Sequence, residues 1–135
     1  MELFVIALLG HFVGDYLLQS DWMAQEKTSR WFPAICHGIT YGLPFLLVTQ
    51  WWLPLLIIVG THIVIDRYRL AKYVVWAKNF LAPRRYWYPL EQCKTTGYPD
   101  DRPAWLTVWL MIIADNTIHI VINFVTLFGL GVLTP

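Results

Sequence analysis

Seven residues in this chain have the types and spacing to do chemistry. His11 and Asp15 stand four apart in HFVGD, His62 and Asp66 four apart in HIVID, Asp115 and His119 four apart in DNTIH, and His37 lies in AICHGITY. An offset of four places two side chains on nearly the same face of a helix. Each histidine falls in a different apolar run, so helical runs would gather all seven groups in one interior. Each ionised carboxylate at mid-bilayer costs roughly 2.5–3.5 kcal/mol even on a lenient insertion scale. Packing four helices does not require that penalty, and a divalent cation offsets it. Neutral imidazoles with carboxylates suit zinc first, then manganese or iron.

The expected metal ligands are His11, His37, His62, Asp115 and His119. Asp15 and Asp66 are the candidate catalytic bases. A metal with one open coordination position lowers the pKa of bound water toward about 7, which makes a hydroxide for attack on an ester or phosphoester. Gln19 and Lys27 are placed to orient a substrate at the mouth of such a site, and Arg84 and Arg85 to hold a lipid phosphate. Inner-leaflet attraction explains the arginine pair equally well. Competing readings keep the same residues: a hydrogen-bonded or proton-carrying network between helices, a haem protein, a metal or proton transporter or sensor, or an accessory membrane protein with a polar core. Haem would use four histidines without needing carboxylates beside three of them. A transporter needs polar groups along its whole path, whereas LFVIALLG and PLLIIVG offer almost none.

The elements that must position these groups follow from composition. Of 135 residues, 57% are hydrophobic and 14% charged, and the mean hydropathy is +0.48. That departs from a soluble domain and points to an integral membrane protein. The net charge of +1 gives no reason to expect nucleic acid as a partner. Apolar runs at about 3–20, 32–50, 53–71 and 104–128 approach the roughly 20 residues a membrane helix needs. The expectation is an all-α, four-helix membrane bundle forming a single domain over 1–135, as a monomer or homodimer. The first run begins at Met1-Glu2 with no basic region, so it is expected to be retained rather than cleaved.

All ten basic residues lie between runs one and two, or from the end of run three to the start of run four, which predicts those loops inside and both termini outside. Trp22, Trp31, Trp51, Trp52 and Trp105 fall at the predicted borders, where indoles prefer the headgroup level. RYRLAKYVVWAKNFL is predicted to continue as an interfacial helix until Pro83. The cytoplasmic segment at about 72–103 then becomes irregular through its prolines and Gly97, as a charged loop or a lid. Depth counting at about 1.5 Å per residue puts His11, His62, Asp115 and His119 near the midplane, and Asp15, His37 and Asp66 nearer the cytoplasm. Tyr41 reads as interfacial packing and Cys36 as core. Two cysteines in unlike surroundings, Cys36 and Cys93, predict no disulfide framework.

HFVGDYLLQSDWMAQEK, AICHGITY, THIVIDRYRL and DNTIH together resemble the successive motifs of DUF3307, a family of small bacterial and phage membrane proteins of unknown function. The resemblance covers nearly the whole chain and implies a multi-pass protein of the bacterial inner membrane. Asn116 stands where the family's last motif carries glutamine. The histidine and aspartate pattern also looks like that of inner-membrane metal-dependent hydrolases. That likeness implies that His11, Asp15, His37, His62, Asp66, Asp115 and His119 are metal ligands or their supports, and that the substrate is lipid-linked.

Overall fold

The structure, a computed structural model, describes residues 2–133 and has six α-helices and no strands among them. Met1, Thr134 and Pro135, part of the termini expected outside, lie outside the described residues. The all-α expectation holds. Of the four apolar runs, only the last forms a helix long and apolar enough by itself to cross a membrane: α6, Ala104–Gly129, 26 residues.

The other three runs are shorter for local reasons. Helix α1 (Glu2–Phe12) passes into a π-helical turn over Val13–Leu17. Helix α2 (Asp21–Glu26) starts at Ser20, whose hydroxyl accepts the Met23 N–H at 3.3 Å, as an N-cap should. Helix α3 (Trp31–Gly42) tolerates Pro33 in its first turn and gives way at Pro44 to a 3₁₀ turn over Leu43–Leu47. Helix α4 (Trp52–Tyr68) has Pro54 in its first turn and runs 17 residues. Helix α5 (Ala71–Lys78) lies within the stretch predicted as an interfacial helix.

The chain forms two compact units. The first comprises residues 1–68 and 119–135 and holds α1 to α4 with the C-terminal part of α6. Its interior is mixed. His11, Asp15, His37, His62, Asp66, His119 and Asn123 are buried at one level, and Ala7, Phe45, Val48, Ile58, Leu127 and Leu133 form an apolar cluster with Tyr41. Leu3, Val5, Leu9, Ile35, Ile39, Val121 and Val125 are exposed on its outside. Close helix approach depends on Gly14, where a Cβ would stand 2.8 Å from the Tyr41 carbonyl oxygen and 2.8 Å from its ring.

The second unit, residues 69–118, contains α5, three short 3₁₀ turns and the start of α6. The segment expected to be irregular is knit by side chains bonding to backbone carbonyls: Trp76 Nε1 to Tyr88 at 2.9 Å, Trp87 Nε1 to Ala82 at 2.8 Å and Asn79 Nδ2 to Gly97 at 3.1 Å. Gly97 has φ +84° and sits where a Cβ would meet the Lys72 carbonyl, so no other residue fits there without a shift. Cys93 is fully buried and burial raises its thiol pKa, away from the reactive thiolate. Both cysteines are free, in accord with the absence of a disulfide framework.

Candidate metal centre

The site is assembled by four helical segments of the first unit, each supplying a histidine. On α1 the four-residue offset from His11 reaches Asp15 through the π turn. Such wider turns recur at functional sites, and here one sets a carboxylate and an imidazole above one another. On α4, His62 and Asp66 keep the same offset in regular helix. Helical side chains lean toward the N-terminus, which draws Asp15 and Asp66 back toward the histidines one turn before them. His62 and the two carboxylates meet at His37 instead of lying in separate layers.

His37 Nε2 is the hub. It lies 2.9 Å from His62 Nε2, 3.2 Å from Asp15 Oδ1 and 3.2 Å from Asp66 Oδ2. His62 Nε2 is 3.3 Å from the same Asp66 oxygen and 3.6 Å from the same Asp15 oxygen. An imidazole nitrogen carries one hydrogen or one lone pair, so one hydrogen cannot serve all these neighbours. Four donors around one ion with bonds of 2.0–2.2 Å have edges of about 3.3–3.6 Å in a tetrahedron. The five separations above run from a little below that range to its upper end. All four residues are buried, and their donor atoms lie within 4.8 Å of one another.

Lys27 enters the same cluster. Its Nζ donates to Asp66 Oδ2 at 2.7 Å and to Gln19 Oε1 at 2.7 Å, and lies 3.2 Å from His37 Nε2. Arg67, the neighbour of Asp66 on α4, holds the turn after α2 by donating to the carbonyls of Thr28 and Ser29. That clasp keeps Lys27 beside the carboxylate. Gln19 and Lys27, expected at a substrate mouth, are thus both brought to the site and are its half-buried edge.

His119 on α6 directs Nε2 to Asp66 Oδ1 at 3.4 Å. His11 Nε2 stands 3.9 Å from Asp15 Oδ2, while its Nδ1 is 3.0 Å from the Tyr41 hydroxyl. Tyr41 was expected as interfacial packing, and this is a correction: it is fully buried, accepts from Asn123 Nδ2 at 2.6 Å and lies flat on the His62 ring with centroids 3.6 Å apart. The Nδ1 atoms of His37 and His62 have no hydrogen-bond partner among the described residues, so ring packing orients the His62 imidazole. The spacing that singled out the aspartates also marks these supports, since Tyr41 follows His37 by four and Asn123 follows His119 by four.

Asp115, one turn before His119 on α6, is half-buried and belongs to the second unit. Arg84 and Arg85 also lie there, on an exposed 3₁₀ turn, with their guanidiniums over the Trp87 and Tyr86 rings at 5.9 and 5.0 Å. Cys36 is half-buried and outside the cluster of candidate ligands.

The family model described as "Protein of unknown function (DUF3307)" matches residues 3–94. The chain belongs to the DUF3307 family. The match takes in His11, Asp15, His37, His62 and Asp66 of the DUF3307 pattern, and His119 lies past its end. Neither the curated proteins nor the solved structures give a match.

Proposed function

We propose that this DUF3307 protein is a multi-pass protein of the bacterial inner membrane. In this reading, a divalent ion held by His37, His62, Asp15 and Asp66 supports hydrolysis of an ester or phosphoester in a lipid-linked substrate. The observation that carries it is the convergence of those four donors, with the His37 and His62 contacts at 2.9–3.6 Å and all four within 4.8 Å of one another, with more partners than hydrogen bonding can satisfy. Zinc is the preferred ion on ligand chemistry, and manganese or iron fit the same donors.

The membrane part of the proposal rests on inversion. The first unit carries charge inside and leucine, isoleucine and valine outside, which suits hydrocarbon and not water. Counting their π and 3₁₀ continuations, the helical runs over 2–17, 31–47 and 52–68 extend about 24–28 Å, somewhat short of a core about 30 Å thick. Trp31, Trp52 and Trp105 are exposed near the starts of α3, α4 and α6, as a headgroup belt would have them. With every Lys and Arg either between α1 and α3 or from the last turn of α4 to the start of α6, the four-span bundle has both termini outside.

What favours a pocket over a channel is the apolar cluster of Ala7, Phe45, Ile58 and Leu127, which packs beyond Tyr41 on the side away from Lys27. Lys27 and Gln19 stand at the half-buried edge of the site, where an ammonium can meet an anionic oxygen of the substrate. When bound, the ion would supply a water of lowered pKa and polarise the scissile bond. Asp15 and Asp66 would help to hold it.

The test is to incubate the full chain, purified in mild detergent, with inner-membrane lipids with and without chelator, and to follow products by mass spectrometry. The expected result is a chelator-sensitive product that Asp66→Asn abolishes. Absence of any product across lipid classes with zinc or manganese supplied would overturn the hydrolase reading.

A further inference from the structure

The two carboxylates each use one oxygen on the His37 and His62 pair and turn the other toward a different histidine. Asp15 presents Oδ1 to His37 and His62, and Oδ2 to His11. Asp66 presents Oδ2 to His37 and His62, and Oδ1 to His119. The four histidines therefore sort into two pairs, with both aspartates between them.

We infer that the centre holds two divalent ions: one on His37 and His62, a second on His11 and His119, with Asp15 and Asp66 bridging. This rests on the reading of the site as a metal centre and adds a second ion to it. Carboxylates whose two oxygens face separate donor groups suit a bridge between neighbouring ions, the arrangement of two-metal hydrolytic sites.

Ring geometry permits both pairs. An ion 2.0–2.1 Å from a histidine Nε2 stands about 3.2 Å from the ring centre, so two rings sharing an ion have centres about 5.2 Å apart at the tetrahedral angle and at most about 6.4 Å apart. The His37 and His62 rings are 4.8 Å apart and the His11 and His119 rings 6.1 Å, which calls for a wide angle at the ion; the His62 and His119 rings are 4.3 Å apart, so the carboxylate oxygens and not the rings sort the pairs. The 3.4 Å from His119 Nε2 to Asp66 Oδ1 is an ordinary edge between two ligands, and the 3.9 Å from His11 Nε2 to Asp15 Oδ2 a wide one. His11 also has the support a ligand needs. Its Nδ1 is engaged by the Tyr41 hydroxyl, which Asn123 fixes in turn, as the outer nitrogen of a metal-bound histidine is.

A second ion also explains the burial of His11 and His119, which are 0% and 1% exposed and lie outside the first quartet. In a two-ion centre a water or substrate oxygen can bridge the pair, and the class of reaction expected is displacement at phosphorus or at an ester carbonyl.

The experiment loads the full chain in mild detergent with manganese(II), counts ions per chain by elemental analysis and records the electron paramagnetic resonance spectrum. The wild-type chain should hold two ions and show an exchange-coupled spectrum. His119→Gln should hold one ion and show the six-line pattern of an isolated ion, and His11→Gln should weaken the second ion at least tenfold. One ion with an isolated spectrum in the wild type would overturn the second site and leave the single-ion reading standing. Two coupled ions persisting in both variants would overturn the assignment of His11 and His119. No bound manganese or zinc would overturn the metal reading itself. Should a variant fail to fold by circular dichroism, the wild-type spectrum still decides between one ion and two.

Discussion

The two units of this chain treat charge in opposite ways. In the first, Asp15, Asp66 and four histidines are buried among helices whose outer faces are leucine, isoleucine and valine. In the second, Ala71, Val75 and Cys93 are buried while Arg84, Arg85, Glu91 and Asp100 to Arg102 stand at the surface. Apart from the start of α6, the second unit keeps its charges at the surface, as chains in water do. The first has the pattern expected of a chain in lipid under the proposed reading, where buried polar groups mark function and charge is kept only when something balances it. The contrast teaches where a substitution should matter. A charge removed from the first unit leaves its partner stranded, and one removed from the second is replaced by solvent.

The largest effect should come from breaking that balance. Asp66→Ala removes the carboxylate on which Lys27 and three histidines converge, and is expected to cost about 3–5 kcal/mol, the range for stranding one member of a buried ion pair. Adding Lys27→Met should recover part of that loss. Thermal unfolding in detergent of the two single variants and the double variant gives the coupling, and strict additivity would show that the two side chains do not depend on each other.

Much of this centre is written in the sequence as a spacing. Offsets of four between His11 and Asp15 and between His62 and Asp66 mean one helix face whatever the tertiary structure, so their convergence was legible. The position of Lys27 was not, because it depends on a clasp from Arg67 to a turn 38 and 39 residues away and on the reach of a long side chain. The π turn at Val13–Leu17 was also hidden, since nothing in VGDYL distinguishes it from ordinary helix. The lengths of the first three helices were overestimated from apolar content, which cannot register that Pro44 ends α3. In the second unit, prolines and Gly97 correctly announced irregular backbone. The tryptophan and asparagine bonds that order it join residues up to 18 apart and have no local signature.

An intermediate effect is expected where helices touch most closely in the first unit. Gly14→Val places atoms against the Tyr41 carbonyl and ring and should destabilise by about 1–3 kcal/mol through overpacking. Because Tyr41 supports His11, the same variant should also weaken metal binding. A variant as stable as the wild type would mean that α1 and α3 can separate at this point without cost.

The smallest effect belongs to the second unit. Arg84→Ala and Arg85→Ala remove exposed cations lying over Trp87 and Tyr86 and should each change stability by no more than about 0.5–1 kcal/mol. Their binding to vesicles containing anionic lipid should weaken with added salt. A loss as large as that of Asp66→Ala would erase the distinction between the two units.

The central claim is that the buried histidines and aspartates are ligands and not merely a hydrogen-bonded core. Elemental analysis of the full chain purified in mild detergent, beside a variant carrying His37→Ala and His62→Ala, tests it most directly. Stoichiometric zinc, manganese or iron in the wild type, falling at least tenfold in a variant that keeps its helical circular dichroism, is the predicted result. Metal content indistinguishable between the two proteins would contradict it.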